Sequence, residues 1–417
     1  MNILDKYFGG KIKGKQVSYM LAMIGLIVLV TNGFRYINWP PFWKNFYAIL
    51  LVIMLIASFM KKNYYAYCNF SGIVLLFILI PFFSIINSSS IFGQSVLSSI
   101  SALFLITFTW LLYFVLHILK VKESTVLRVL LYISLFAFAL QLIQQFTYPN
   151  ALFGVRNDDY LQEHIGAEKA EMRNGLYRFR VCGSYYVAIL IFAIILWLKN
   201  RFNRLLMLLL FILLGSIYLF LTRQVIVSML FTIFVSFFLD KKQNNVIFSI
   251  VAVIFVGILL FFSDILFGKL IQQTLDETNE ENIRVLASSF FFNESIKTPA
   301  TFLFGYGIAG SSGAYHNFVE FFSTNLHFHE TDVGFIGMMW RYGVLYIILS
   351  YYLLYSLFWK YKNIIPQYIR LFVIYVSLMS IMIFPFGTNQ SEVIVWPILL
   401  YICDLHIKKS KLALKTL

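Results

Sequence analysis

Residues 205–239 read LLMLLLFILLGSIYLFLTRQVIVSMLFTIFVSFFL, and Arg223 is the only charged residue among them. A transmembrane helix needs about 20 mostly apolar residues, so this stretch is too long for one crossing. Arg223 divides it, and we predict two helices joined by a tight turn at Leu221–Arg223. The stretch therefore indicates a membrane protein with closely connected helices.

The same apolar pattern recurs along the whole chain. Hydrophobic residues make up 60% and charged residues 12% of the 417 positions, against about 45–50% and 25% in soluble domains. We therefore expect an all-α polytopic membrane protein of about 12 transmembrane helices, with residues 1–417 as a single transmembrane domain. The predicted spans are 17–37, 43–60, 70–87, 95–119, 125–146, 181–198, 205–221, 224–239, 246–263, 332–357, 367–385 and 391–406.

The net charge of +14 comes from short basic clusters between the apolar runs. With the N-terminus inside, the inner segments hold 21 of the 33 basic residues and only 4 of the 19 acidic ones. This asymmetry follows the positive-inside rule and predicts that both termini are cytoplasmic. It also argues against a nucleic-acid partner, because the basic residues form no single patch.

Two large external loops are expected, at residues 147–180 and 264–331. Loops of this length are usually functional. An amphipathic helix is predicted near 279–296, lying on the membrane surface or, alternatively, packed as an ordinary loop helix. Its apolar positions are Ile283, Leu286 and Phe290.

Charged and titratable side chains gather at the predicted outer membrane edge. They are Arg178, Arg180, Arg223, His327, His329, Glu330, Asp332 and Arg341. Arginine binds phosphate oxygens through a planar fork that keeps its charge, and a neighbouring His or carboxylate can act as general base toward a hydroxyl. This combination suits transfer of a group from a lipid diphosphate to an alcohol.

Each of these side chains also has a simpler explanation. Arg178 alternatively snorkels to phospholipid headgroups, and Arg341 alternatively pairs with an acid on a neighbouring helix. Glu330 and Asp332 are suited to capping the start of the tenth span. Histidines in a loop are often merely exposed.

The segment FLFGYGIAGSSGAYHN at 302–317 is rich in glycine. It is not a dinucleotide fingerprint, because no strand precedes it, and we expect a flexible loop over the site. His327 and His329 are too small a set for a metal site. We expect no metal ion or other cofactor.

Three stretches together resemble the bacterial O-antigen polymerase and O-antigen ligase superfamily. They are R-x-x-G at Arg180–Gly183, LTRQ at Leu221–Gln224, and TPATFLFGYGIAG followed by HFHETDVGFIGMMWRYG at 298–343. Two features depart from the family pattern. The turn lacks the family's Ser and Gly, and His316-Asn317 is too far from Gly334 to match the ligase signature. The second departure favours a polymerase over a ligase.

The resemblance implies a C-type glycosyltransferase-like bundle and a metal-independent, inverting glycosyltransferase. It implies that Arg180 and Arg223 hold the donor diphosphate, and the charge cluster at the outer membrane edge adds Arg178 and Arg341 as further substrate-binding residues. It implies that His329 or Glu330 is the base, and the charge cluster adds Asp332 as a third candidate catalytic residue.

The implied function is polymerisation of lipid-linked repeat units of O-antigen, capsule or exopolysaccharide in the bacterial inner membrane. Its partners are an undecaprenyl-diphosphate-linked oligosaccharide donor, a lipid-linked acceptor, membrane lipids, a chain-length regulator and a flippase. The alternatives are an O-antigen ligase, a flippase or transporter, and a membrane acyltransferase. A flippase usually shows two similar halves, which this sequence lacks, and an acyltransferase needs an inner His-centred site.

Overall fold

The structure is a computed structural model that describes residues 14–40, 42–59, 68–150, 152–154, 171–173, 175–238, 283–387 and 390–415. In these residues the chain is mostly helical, with one two-stranded antiparallel hairpin. The all-α class is confirmed at this level. The chain divides into two compact units. Unit 1 comprises residues 1–43, 121–276 and 367–375, and unit 2 comprises residues 44–120, 277–366 and 376–417.

In chain order the elements are α1 (Lys15–Val30), α2 (Phe42–Phe59), α3 (Ser71–Phe92), α4 (Val96–Thr109), α5 (Leu112–Leu119), α6 (Glu123–Thr147), β1 (Glu171–Arg173), β2 (Leu176–Arg178), α7 (Ser184–Asn200), α8 (Arg204–Leu219), α9 (Arg223–Phe238), α10 (Ile283–Ser295), α11 (Pro299–Phe304), α12 (Ala314–Asn325), α13 (Gly334–Tyr355), α14 (Gln367–Met379), α15 (Gln390–Val393) and α16 (Val395–Lys415). Short turns occur at Asn32–Arg35 and Glu330–Asp332, and a π-helical turn at Ser356–Lys360 extends α13.

Four helical segments of the described chain are long and apolar enough to cross a membrane. They are Ser71–Phe92, Val96–Leu119, Glu123–Thr147 and Gly334–Lys360. Five more apolar helices, α1, α7, α8, α9 and α14, have only 10–17 residues. Twelve full-length spans are therefore not shown.

Every predicted span that lies within the described residues contains a helix, and 246–263 lies outside them. Some runs are shorter than predicted because the backbone interrupts them. The first is broken after Val30 by left-handed backbone, and the eleventh ends at Met379. The tight turn is confirmed, since α8 ends at Leu219 and α9 begins at Arg223.

The external loops are described only in part. Residues 155–170 and 264–282 lie outside the described residues. The predicted helix is confirmed as α10, and of the three predicted apolar positions Phe290 packs against the core around Trp340. Ala287, Phe291 and Ser295 are the buried residues, and the Phe291 ring packs 5.6 Å from that of Trp340. Ile283 and Leu286, in contrast, are 42% and 44% exposed.

Helix α7 forms the centre of unit 1. Every residue of this helix from Ser184 to Ile195 is buried. It packs against α6 and α8. A helix that is apolar on all sides belongs in the middle of a bundle. At its N-terminal end, the Tyr375 hydroxyl donates to Ser184 Oγ at 3.2 Å.

Helix α13 forms the centre of unit 2, where it packs against α3, α10 and α11. Aromatic rings fill this core. The Phe77 ring stacks on Trp110 at 4.2 Å and meets Tyr346 edge-on at 5.1 Å. Phe386 stacks on Trp396 at 4.2 Å. These contacts fix α13, which carries Arg341.

Residues near the predicted inner ends of three spans contact each other within unit 2. The buried Asp404 carboxylate in the middle of α16 accepts from Asn69 Nδ2 at 2.8 Å and from the Tyr113 hydroxyl, and contacts His117 Nε2 at 3.0 Å. Asn69, His117 and Asp404 lie within two residues of the predicted inner ends of spans 70–87, 95–119 and 391–406, whereas Tyr113 lies deeper in its span. The contacts agree with the predicted alternation of helices, while the side that faces the cytoplasm stays a prediction.

Candidate active site

A break in helix α13 shapes the candidate site in unit 2. Gly343 lies inside α13 with φ 79° and ψ 174°, values that favour glycine. A Cβ atom at this position would overlap the carbonyl oxygen of Leu303 at the end of α11. The glycine therefore permits the close approach of α11, and the break frees nearby carbonyl groups from the helical hydrogen-bond pattern.

Residues 305–310, the glycine loop, bind to those freed carbonyls. The Tyr306 amide donates to the Trp340 carbonyl and the Gly307 amide donates to the Arg341 carbonyl, each at 2.7 Å. The Tyr306 ring also stacks on Trp340 at 4.0 Å. The backbone of Arg341 is thus held by a loop from a distant part of the sequence.

Two amide side chains hold the other side of the glycine loop. Asn87 Nδ2 donates to the Gly305 carbonyl at 2.7 Å. Gln94 accepts from the Gly310 amide at 2.8 Å and donates to the Ile308 carbonyl at 3.1 Å. The expectation of a flexible loop at 302–317 was wrong for residues 305–310, because hydrogen bonds fix this part of the loop on both sides. Sequence reasoning missed both amides, whose only signal is polarity at the end of an apolar run.

Glu330 and Arg341 form an ion pair, with Arg341 Nη2 2.7 Å from Glu330 Oε1. Gly337 makes it possible, since a Cβ there would overlap the Glu330 carbonyl oxygen. Gly337 and Arg341 are four residues apart on one face of α13. The backbone of Glu330 therefore lies against Gly337, and its carboxylate reaches Arg341.

The Arg341 guanidinium is deeply enclosed. The residue is 8% exposed, and Nη1 donates to the Gly387 carbonyl at 3.3 Å. Tyr342 also donates to that carbonyl, at 3.4 Å. The alternative that Arg341 pairs with an acid is correct, although the acid lies in the turn before its own helix. Arginine within a spanning helix is costly unless paired in this way.

The pair determines the charge state of Glu330. Burial tends to raise the pKa of its carboxyl, but the Arg341 charge and hydrogen bond outweigh burial and hold that pKa below its ordinary value. Glu330 is therefore a carboxylate of low basicity that is committed to Arg341. The capping alternative was wrong for this helix, because Val333 is the N-cap of α13 and no side chain caps it.

The other two predicted catalytic residues are accessible. His329 and Asp332 are exposed, and His329 Nδ1 lies 3.1 Å from the Ser323 hydroxyl on α12. His327 is exposed too, with left-handed backbone at φ 55°. Of the predicted catalytic residues, only Glu330 contacts Arg341 in the described structure.

In unit 1, Arg178 on β2 caps the C-terminus of α8. Its Nε donates to the Phe220 carbonyl at 3.1 Å, and its Nη2 donates to Thr222 Oγ1 at 2.7 Å. Arg173 on β1 donates to the Leu221 carbonyl at 3.1 Å. Cations at a helix C-terminus satisfy its free carbonyls and complement its dipole. Sequence reasoning missed Arg173, which becomes visible only when the hairpin pairs it with the turn.

The hairpin thus brings Arg178 to the turn that precedes Arg223. Arg223 is the first residue of α9 and is partly buried, whereas Arg180 is exposed. The Arg180 amide donates to the Gly154 carbonyl at 3.0 Å. Helix N-termini favour phosphate groups because their amides are free and their dipole is positive.

Among the described residues, no group of three or more His, Cys, Asp or Glu side chains is placed to hold a metal ion. Comparison with known families and with curated proteins gives no match to this sequence. The family resemblance therefore depends on the short motifs themselves.

Proposed function

We propose that this chain is a membrane glycosyltransferase that polymerises lipid-linked polysaccharide repeat units. The donor is an undecaprenyl-diphosphate-linked glycan, and the acceptor is a sugar hydroxyl on a second lipid-linked unit. The protein has about twelve spans in a bacterial inner membrane, in a C-type glycosyltransferase-like bundle with both termini in the cytoplasm. Two observations support this topology. Each predicted span within the described residues contains a helix, and residues near the predicted inner ends of spans contact each other.

The observation that carries the proposal is the convergence of arginines at the turn between α8 and α9. Arg173 and Arg178 bind the carbonyl side of this turn, and Arg223 starts the next helix. Positive side chains therefore lie beside the N-terminus of α9, which is the positive end of its helix dipole. This site is at the predicted outer membrane edge. A diphosphate group, with several oxygens and negative charges, complements this arrangement.

The arginines of unit 1 divide into two roles. Arg178 is held by α8, so it fixes the turn and adds charge rather than contacting the substrate. Arg180 and Arg223 bind the donor diphosphate and stabilise it as a leaving group. Guanidinium suits this role because its fork donates two hydrogen bonds and stays charged.

In unit 2, His329 is the best candidate for the base, because it is exposed and the carboxylate of Glu330 is committed to Arg341. His329 accepts the proton of the acceptor hydroxyl as the hydroxyl oxygen bonds to the anomeric carbon of the donor. The bond between that carbon and the diphosphate oxygen breaks at the same time, which inverts the anomeric centre. Undecaprenyl diphosphate leaves with the bonding electrons.

Paired substitutions test the proposal in cells. Arg223→Ala should abolish polymer while single lipid-linked units still accumulate on the outer leaflet. Arg204→Ala is the matched control, because Arg204 is also the first residue of a helix, is exposed and lies at the predicted inner side. Normal polymer from Arg223→Ala contradicts the proposal. Units trapped on the inner leaflet would instead identify a flippase.

A further inference from the structure

Residues 298–310, which contain α11 and the glycine loop, pack between α3 and α13 in unit 2. Both helices belong to segments that are long and apolar enough to cross a membrane. Helix α3 has 22 residues and is about 33 Å long, which is close to the ~30 Å thickness of the hydrocarbon core. Distances along α3 from its end therefore measure depth in the membrane that it is long enough to cross.

Segment 298–310 meets α3 well inside the end of this helix at Phe92. A Cβ atom at Gly307 would lie 2.9 Å from Ser84 Oγ, and Ser84 precedes Phe92 by eight residues, or about 12 Å. The Phe304 ring lies 5.1 Å from that of Phe83, one residue further in. The contacts on α3 are therefore more than two helical turns from its end.

Helix α13 gives the same depth independently. The Leu303 carbonyl packs against Gly343, which follows the start of α13 at Gly334 by nine residues, or about 13 Å. The Gly307 amide donates to the carbonyl of Arg341, about 10 Å from that start. The start of α13 and the end of α3 lie on the same predicted side of the membrane. Two helices of opposite direction thus place the segment at one depth.

The composition of the segment suits hydrocarbon. Residues 298–310 contain no charged residue, and the nearest charges along the chain are Lys297 and Glu320. Lys297 is exposed and forms an ion pair with Glu294. Charged side chains at membrane depth are costly, and an apolar stretch of about 10–14 residues fits a re-entrant segment or a buried core helix.

Protein groups satisfy backbone groups of the segment that water would otherwise bind. In addition to the bonds with α13 and Gln94, the Tyr315 hydroxyl donates to the Gly307 carbonyl at 3.0 Å. Asn87 Nδ2 donates to the Ala300 carbonyl at 3.0 Å and to the Gly305 carbonyl at 2.7 Å. Irregular backbone is tolerated at membrane depth only where such partners or an aqueous cavity are present.

One side of α11 continues an exposed apolar face of α3. On α3 this face is a stripe of exposed side chains at helical spacing, formed by Leu75, Leu79, Phe83 and Ile86. Phe302 and Leu303 on α11 are each 37% exposed. Because Phe304 packs on Phe83, the exposed side of α11 adjoins the stripe. A helix long enough to span a membrane turns such a stripe toward lipid.

We propose that residues 298–310 form a re-entrant segment, which enters the membrane beside α3 and leaves on the same side. Phe302 and Leu303 then contact the acyl chains of the membrane phospholipids. The segment supplies hydrogen-bond partners to the broken backbone of α13 at a depth where bulk water is absent. The inference rests on α3 and α13 crossing the membrane, and it goes beyond the proposed function.

Spin labels on introduced cysteines test the proposal in the full-length protein in phosphatidylcholine vesicles. Relaxation of each label by oxygen, which concentrates in hydrocarbon, is compared with relaxation by a water-soluble nickel chelate. The oxygen-to-nickel ratio of Leu303→Cys should exceed that of Ser312→Cys, an exposed position after the segment, by about tenfold. It should lie within about threefold of the ratio for Ile86→Cys. Wild type, whose described cysteines are buried, gives the background signal.

Three results overturn the proposal. Nickel access at Leu303→Cys equal to that at Ser312→Cys would place the segment in water. Low access of both reagents at Leu303→Cys and at Phe302→Cys would show that protein rather than lipid covers α11. Nickel access at Ile86→Cys would show that α3 does not enter the membrane there. Phe302→Cys also repeats the test if Leu303→Cys fails to fold. Polymer formation enters none of these measurements, so their result is independent of the proposed function.

Discussion

Glu330 and Arg341 depend on each other in the folded protein. Both side chains are largely enclosed, with 19% and 10% exposed, and their closest atoms are 2.7 Å apart. Removing one member of a buried pair leaves the other charge without compensation. The residues therefore act first as a fixed structural unit at the start of α13, and this unit positions the exposed His329 and Asp332 that adjoin it.

A double-mutant cycle measures this dependence. Glu330→Gln should lower the free energy of unfolding by about 3 kcal/mol, because Arg341 then remains buried and charged. The double variant Glu330→Gln/Arg341→Met should recover to within about 1 kcal/mol of wild type, since no unpaired charge is left. Denaturation of the purified protein in detergent provides the measurement. Equal losses in the single and double variants would show that the pair contributes little.

The same stability measurements, repeated at different pH values, check that Glu330 is ionised in the folded protein. The pKa of the Glu330 carboxyl is lowered in the folded protein, so its contribution is present above the unfolded value of about 4.3 and is lost as pH falls through the folded value. The stability difference between wild type and Glu330→Gln should stay constant from about pH 7 to 5 and shrink only below about pH 4. A difference that vanishes near pH 6 contradicts this assignment.

The sequence identified both members of the pair as candidates but did not join them. They are eleven positions apart, which is beyond the reach of neighbouring turns of one helix, and the contact depends on Gly337 and on the turn at Glu330–Asp332.

At the scale of elements, the break in α13 and the glycine loop form one assembly. The break at Gly343 frees the carbonyls of Trp340 and Arg341 from the helical hydrogen-bond pattern. Backbone amides of the glycine loop donate hydrogen bonds to them instead. Asn87 and Gln94 then hold the loop from α3 and the turn after it. The position of Arg341 is therefore set by elements from three parts of the chain.

Gly343→Ala should disrupt this assembly. The new Cβ would overlap the Leu303 carbonyl and would adopt left-handed backbone, so we expect a loss of about 2 kcal/mol or more in the free energy of unfolding. Gly25→Ala is the control, because Gly25 lies inside α1 and a methyl group added there would have no neighbouring atom within 4 Å. It should be neutral or stabilise by up to about 1 kcal/mol. Similar losses of unfolding free energy in the two variants would show that Gly343 has no special structural role.

Helix positions were predictable from the sequence because apolar runs and isolated charges mark them. Arg223 interrupts a long apolar run, and the structure ends α8 and starts α9 beside it. The glycine loop was not predictable, because glycine permits a mobile loop and a tightly packed one equally. Contacts with Ser84 and the α13 backbone, which make the loop tight, come from distant residues.

At the scale of the whole molecule, each unit is centred on one helix and carries part of the predicted chemistry. Unit 1 holds the arginines that converge on the turn between α8 and α9. Unit 2 holds the Glu330–Arg341 pair and the accessible His329. Four helical segments make the described chain a candidate membrane protein by length and composition.

The central claim is tested most directly by purified protein supplied with lipid-linked repeat units. The account predicts a ladder of lengthening glycans on undecaprenyl diphosphate, equally strong in the presence of EDTA, and its loss in the Arg223→Ala variant but not in Arg204→Ala. Repeat units that stay single with folded wild-type protein, or a ladder that persists in Arg223→Ala, would contradict it.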